Sequence, residues 1–326
     1  MPTASRAGLI AACRERLAAG SKSFAKATEL FAPETRDSVT LLYAWCRHCD
    51  DVVDDQVLGF RPAEQQGPSP GELDQRVRAL RAATLAACDI AGPEPDDVPF
   101  RALRDVVARH GVPVTYALDL IDGFAMDAEG RHYASLEDTL VYCYHVAGAV
   151  GVMMAYVMGV RETATLRRAG DLGIAFQLTN IARDVMADAA AGRLYLPADW
   201  LAEAGVEARP VAVLVPGHKA GVFTVTARLL DVADRYYDSA AYGLSALPVR
   251  SALAIAAARR IYRAIGAKVR AAGAGAWEQR AMTTRREKLS HMALAAGDAV
   301  SAASLGRLST APARAGLWTP APLRAE

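Results

Sequence analysis

An all-α fold follows from three features of the sequence. Alanine is abundant and hydrophobic residues make up 52% of the 326 residues, a composition that favours helix. The β-branched, alternating runs that mark strands are scarce. Apolar residues instead recur at helical spacing nearly throughout, in stretches punctuated by proline and glycine.

The elements follow in order. Periodicity predicts helices over residues 6–19 and 34–54, the second ending before a Pro- and Gly-containing stretch at 61–71. A helix over 71–89 is closed by Gly92-Pro93-Glu94-Pro95, and Gly111-Val112-Pro113 separates helices over 99–110 and 114–128. A helix-start signal at 135–138 opens a helix over 136–158, and another covers 163–189. Gly192-Arg193-Leu194-Tyr195-Leu196-Pro197 then reads as a loop. Beyond the turn-rich stretch 209–217, helices are expected over 221–243, 250–272 and 284–302. Residues 1–305 read as one helical domain with no visible linker. Residues 306–326, rich in Ala, Pro and Arg, are expected to be a disordered tail.

Charge and cysteine usage narrow the function classes. A formal charge of +1 without a Lys/Arg block argues against a nucleic-acid partner. Five cysteines, Cys13, Cys46, Cys49, Cys88 and Cys143, are odd in number and scattered through helical segments, so no disulfide framework is expected and a reducing cytoplasm fits. Arg6, Arg14, Glu15 and Arg16 interrupt any signal-peptide core. Residues 140–160 are apolar apart from Tyr and His145, long enough to span a bilayer. His145 inside the run, and Gly148 and Gly151 permitting close helix approach, favour a buried central helix instead.

Two acidic sets carry the chemistry. In Tyr43-Ala44-Trp45-Cys46-Arg47-His48-Cys49-Asp50-Asp51-Val52-Val53-Asp54-Asp55, the residues Tyr43, Arg47, Asp50, Asp51 and Asp54 form a polar stripe on an otherwise apolar helix. Like carboxylates repel, and clustering them calls for a cation; Mg²⁺ prefers carboxylate oxygens and commonly completes its shell with substrate phosphates. Taken alone, this cluster is also compatible with a solvated helix end. The second set reduces that ambiguity. Gln177, Asn180, Asp184 and Asp188 fall at i, i+3, i+7 and i+11, with Arg183 alongside, in a largely apolar surround. Buried polar groups need partners, and metal plus diphosphate would supply them. Cys46-Arg47-His48-Cys49 is formally C-x-x-C, but it lies mid-helix without a second pair, which disfavours redox or zinc use.

Together with Gly20-Ser21-Lys22-Ser23-Phe24, Tyr142-Cys143-Tyr144-His145-Val146-Ala147-Gly148 and Phe176-Gln177-Leu178-Thr179-Asn180-Ile181-Ala182-Arg183-Asp184, the first acidic motif resembles the squalene/phytoene synthase family, in order from about Gly20 to Arg280. The resemblance implies a single-domain class I isoprenoid-synthase bundle around a deep apolar cavity. It implies head-to-head (1′-1) condensation of two geranylgeranyl diphosphates, through prephytoene diphosphate, to phytoene. Asp50 and Asp54, supported by Asp51, and Asn180, Asp184 and Asp188 would then bind two or three Mg²⁺ or Mn²⁺ ions with diphosphate, and no NADPH is expected. Ser21, Lys22, Ser23, Phe24, Tyr43, Arg47, Gln177 and Arg183 would contact substrate, with Arg47 and Arg183 also acting in catalysis. Tyr262 and Arg280 would close the site. Tyr142 is a candidate for steering a carbocation or accepting a proton, with a packed core tyrosine as the alternative, and Gly148 and Gly151 would make room for the chain. Arg193 and Tyr195 would help cover the site.

Two rival readings accompany this one. A C30 enzyme of the same family would make squalene or dehydrosqualene from farnesyl diphosphate. A non-catalytic helical membrane protein would instead use residues 140–160 as a span. The leading reading places the chain in the cytoplasm, with peripheral contact at the inner face of a membrane and with downstream carotenoid enzymes, because its product is a hydrocarbon.

Overall fold

Leu41, Leu42, Trp45 and Cys49, all at most 1% exposed, share a helix with half-buried Tyr43, Arg47, Asp50 and Asp51. That split between a packed face and a polar stripe fixes the orientation of the helix that carries the first acidic set. The structure is a computed structural model that describes residues 5–20, 22–54, 69–304 and 312–323. Ser21 and Asp55 lie outside the described residues, as do the side chains of Lys22, Ser23, Phe24 and Asp54. The described residues are helical, with no strand among them.

The helices are α1 (Arg6–Gly20), α2 (Lys22–Thr28), α3 (Pro33–Asp54), α4 (Pro70–Cys88), α5 (Val98–His110) and α6 (Val114–Ala128), then α7 (Leu136–Cys143) and α8 (Ala149–Val157). They continue with α9 (Thr163–Ala190), α10 (Ala198–Glu203), α11 (Pro210–Val213), α12 (Lys219–Ala241), α13 (Val249–Ala272) and α14 (Arg285–Ser304). Each helix expected from periodicity is present within a few residues. Short α2, α10 and α11 escaped the periodicity because one or two turns cannot establish a period. Ser69 and Glu72 form a capping box that starts α4, and Ser135 and Asp138 form one that starts α7.

The chain packs as two compact units. One comprises residues 1–129 and 152–161; the other comprises 130–151 and 162–326. In the first, α3 lies against α1 and α5, and α4 against α5 and α6. Its core includes Trp45, Leu103, Val106 and Ile121, each 0% exposed. In the second, α9 is the central element: α12 and α13 pack along it, and α14 packs on α13.

The expected helix over 136–158 is not uniform. Tyr144–Gly148 is a π-helical turn between α7 and α8, in which the Ala149 N–H reaches the Tyr144 carbonyl. Helical periodicity does not register one added residue per turn. Gly151 and Gly173 explain why this segment runs so close to α9. A Cβ at Gly151 would sit 2.4 Å from the Ala169 carbonyl oxygen, and one at Gly173 would sit 2.3 Å from that of Ala147. The close approach expected at Gly151 is therefore present, and Gly148, whose Cβ would come within 3.3 Å of the Gly170 carbonyl oxygen, shares it. The space these glycines create is occupied by α9 backbone, which corrects the expectation that Gly148 and Gly151 make room for substrate. The 22-residue stretch Leu136–Val157 is long and apolar enough to cross a membrane, but 56% of its most apolar window is buried within the protein.

Part of the stretch expected to be a disordered tail, residues 312–323, is docked on the second unit. Arg314 donates to both oxygens of Asp171, whose side chain is 1% exposed, including a 2.8 Å bond from Nε. The Trp318 ring meets Tyr144 edge-on at 6.0 Å, and its backbone N–H donates to Tyr236 at 3.1 Å. Composition suggested disorder because a few anchoring side chains hold the segment, and average hydrophobicity does not detect them.

Candidate active site

On α3, Arg47 sits between two carboxylates. Its guanidinium is 3.0 Å from Asp50 and donates to Asp51 at 2.7 and 2.9 Å. These are the i+3 and i+4 positions, so the helix itself sets the geometry. Burial disfavours the charge on Arg47, but Asp51 and Asp50 outweigh it and its pKa is raised, with Tyr43 adding in the same sense. The predicted Tyr43, Arg47, Asp50 and Asp51 are thus brought together in the first unit. His48, one residue on, faces away and packs its ring on Phe100 at 5.5 Å.

The second unit carries the other set on α9. Gln177, Asn180, Arg183, Asp184 and Asp188 are half-buried on a helix whose remaining side chains are mostly buried, as a stripe of that spacing requires. Asp184 is held by two arginines. Arg280 approaches it with paired bonds of 2.9 and 2.8 Å, and Arg183 donates from Nε at 3.0 and 3.1 Å. Burial works against its charge, but Arg280 and Arg183 prevail and pull the carboxyl down to about 2. Asp184 is therefore ionised at neutral pH, the form a metal or an arginine requires. Asp188 contributes to the field on Arg280.

Asn180 brings a further oxygen to this set. Its Nδ2 donates to Gln177 at 3.3 Å, while its Oδ1 is buried with no hydrogen-bond donor among the described residues. An unsatisfied buried carbonyl oxygen is costly, and it is the kind of hard ligand Mg²⁺ or Mn²⁺ takes. With the ionised Asp184 one turn further along, the donor set fits a divalent cation.

Tyr262 and Arg280 reach the same unit by different routes. Tyr262, on α13, sets its ring against that of Phe176 at 4.4 Å, tilted by 33°. Arg280 lies beyond α13 in an irregular segment, which is fastened by a 3.0 Å bond from Trp277 Nε1 to the Ala182 carbonyl. Trp277 was not singled out from sequence; its signal was a lone tryptophan a few residues before a predicted site arginine. Tyr142 is buried and stacks on Tyr195 at 4.6 Å, with Tyr133 edge-on to it at 5.4 Å. The predicted loop after α9 thus brings Tyr195 onto Tyr142, and Thr139 donates to the Tyr195 carbonyl at 2.9 Å. A separate cleft of about 240 Å³ lies between α9, α12 and α13. Its Arg263 and Arg270 both pair with Asp234, and no predicted site residue lines it.

Carboxylates and arginines at these intervals on two helices are the groups a divalent cation and a diphosphate require, and comparison with known proteins supplies the class. A family model described as squalene/phytoene synthase matches residues 17–288, running through both units. The chain is 51% identical over 299 residues to a 15-cis-phytoene synthase of Enterobacter agglomerans, covering 92% of this chain and 98% of that one. It is 49% identical over 305 residues to the 15-cis-phytoene synthase of Pantoea ananas, covering 93% and 95%. Among solved structures, a dehydrosqualene synthase in complex with ligand aligns with a TM-score of 0.78 over 91% of this chain and 98% of that one, at 24% identity, a likeness of fold. The chain belongs to the squalene/phytoene synthase family. Its fold is the all-α fold of the isoprenoid synthases, as the resemblance implied.

Proposed function

We propose that the chain catalyses the phytoene synthase reaction: head-to-head (1′-1) condensation of two geranylgeranyl diphosphates, through prephytoene diphosphate, to phytoene, with release of diphosphate. The observation that carries it is identity of 49–51% across more than nine-tenths of both chains to relatives bearing that name. The structures whose names point to the C30 alternative, a dehydrosqualene synthase and a squalene synthase, are 24% identical and speak for fold alone. The relatives are enzymes, which removes the non-catalytic membrane protein as a reading.

The residues divide the work by charge. Breaking an allylic C–O bond leaves a diphosphate that must be stabilised and a carbocation that must be kept from water. Arg47 on α3, and Arg183 and Arg280 about Asp184, supply fixed positive charge for the diphosphate oxygens. Tyr43 and Gln177 add hydrogen-bond donors beside them, and Ser21, Lys22, Ser23 and Phe24 complete the substrate contacts. Asp50 and Asp54, with Asp51 in support, and Asn180, Asp184 and Asp188 hold two or three Mg²⁺ or Mn²⁺ ions. Such ions, when bound, supply Lewis acidity to the leaving group. The stacked Tyr142–Tyr195 pair offers an electron-rich face to a carbocation. Tyr262 and Arg280 close over the substrate.

No nicotinamide enters this scheme. We place the enzyme in the cytoplasm, in peripheral contact with a membrane that receives the product and with the enzymes that consume it. The experiment is turnover of geranylgeranyl diphosphate by purified protein with and without a chelator. Activity should vanish with chelator, return with Mg²⁺ or Mn²⁺, and be unchanged by NADPH. Strict NADPH dependence for a hydrocarbon product would overturn the assignment.

A further inference from the structure

Helix α14 packs the wrong way round for a helix that meets only water. Its buried positions are the small Ala295 and Ala299, at 0% and 2% exposure, while Leu289, Leu294 and Val300 stand 59%, 51% and 64% exposed. Met282, just before the helix, is 64% exposed as well. At about 100° per residue, Leu289 and Val300 fall within roughly 20° of each other, so they form one line along the helix. Large side chains outward and alanines inward are what a helix shows when its outer face has a partner of its own.

The charges on α14 are sorted to match. Both of its acids turn toward α13: Glu287 accepts from Lys268 at 2.8 Å, and Asp298 accepts from Arg260 at 2.5 and 2.6 Å. Arg285 and Arg286 are exposed at the start of the helix and make no ion pair among the described residues. The outer face therefore offers apolar side chains and cations with no carboxylate among its exposed residues. That combination complements a surface that is apolar beneath and negative on top, which is an anionic lipid bilayer. A second copy of the chain would bring the same unneutralised cations and no acid to meet them.

We propose that the exposed face of α14 is the membrane-contacting surface of the protein, with Leu289 and Val300 entering the headgroup boundary and Arg285 and Arg286 meeting anionic lipid. The surface gives the membrane contact proposed above its place on the chain, and it rests on that reading. None of these residues belongs to the catalytic or binding machinery.

The test is flotation of the full-length purified protein with vesicles of phosphatidylcholine alone or mixed with phosphatidylglycerol, at low and high salt. Wild type should float with the phosphatidylglycerol vesicles at low salt and be released by high salt. Arg285→Gln with Arg286→Gln should lower partition roughly 30-fold, at about fivefold for each basic residue lost near the surface. Leu289→Ser with Val300→Ser should lower it by at least about tenfold. Turnover of geranylgeranyl diphosphate in detergent, measured on the same samples, should be unchanged in both variants. Flotation that neither double variant reduces would overturn the proposal, as would a concentration-dependent dimer abolished by Leu289→Ser with Val300→Ser. Turnover without flotation would sink this surface alone, and flotation without turnover would sink the enzymatic reading alone.

Discussion

Substituting alanine for Gly173 should separate α9 from the segment that carries Tyr142. A Cβ there would lie 2.3 Å from the carbonyl oxygen of Ala147, 2.6 Å from its carbon and 2.7 Å from the Cα of Gly148. All three obstacles are backbone, so no rotamer change can relieve them. Restoring van der Waals contact requires roughly 1 Å of separation between the two segments. Overpacking of this kind costs about 3 kcal/mol at the upper end of its usual range, and the gain in helix propensity from glycine to alanine returns about 1 kcal/mol. The net expectation is a loss of about 2 kcal/mol. Gly297 is the control: it lies within α14, is exposed, and a Cβ there meets nothing within 4 Å. Gly297→Ala should stabilise by about 0.5–1 kcal/mol, since only propensity and unfolded-chain entropy change. Urea unfolding followed by circular dichroism reads both as shifts of midpoint. If Gly173→Ala matched wild type or gained stability as Gly297→Ala does, the close approach to α9 would be wrong.

Three further outcomes follow. Asp50→Ala and Asp184→Ala should each abolish turnover of geranylgeranyl diphosphate while leaving helical circular dichroism unchanged; near-normal turnover in either would remove that residue from the metal set. Arg314→Ala should cost about 3 kcal/mol in unfolding free energy, because it strands a carboxylate whose side chain is 1% exposed with Ser239 as a remaining donor; an unchanged unfolding midpoint would show that the docked C-terminal segment does not brace α9. Burial pushes the thiols of Cys49 and Cys143 well above their ordinary value, so both should resist alkylation at neutral pH until the protein is unfolded; rapid native labelling of either would contradict the packing around it.

Much of this was legible in the sequence. The polar stripes on α3 and α9 follow from four-residue spacing in an apolar surround, and the structure presents Tyr43, Arg47, Asp50 and Asp51 on one helix face and Gln177, Asn180, Arg183 and Asp184 on another. Arg280 was expected to close the site with Tyr262; the structure shows it bonded to Asp184. What escaped were features set by contacts distant in sequence. The π-helical turn at Tyr144–Gly148 leaves helical periodicity intact to the eye, and Gly173 carries no meaning until Ala147 is seen against it. The Arg314–Asp171 pair joins positions 143 residues apart, so nothing local announces it. The outward leucines of α14 are likewise ordinary in sequence and become informative only once Ala295 and Ala299 are seen to face the core.

Chain length of the condensed product is the most direct test of the C40 condensation. Purified protein with Mg²⁺ should be incubated separately with the C15 and the C20 prenyl diphosphates, and the products weighed by mass spectrometry. The C20 substrate should yield a C40 hydrocarbon and released diphosphate. A C30 product from the C15 substrate, with none from the C20, would contradict it.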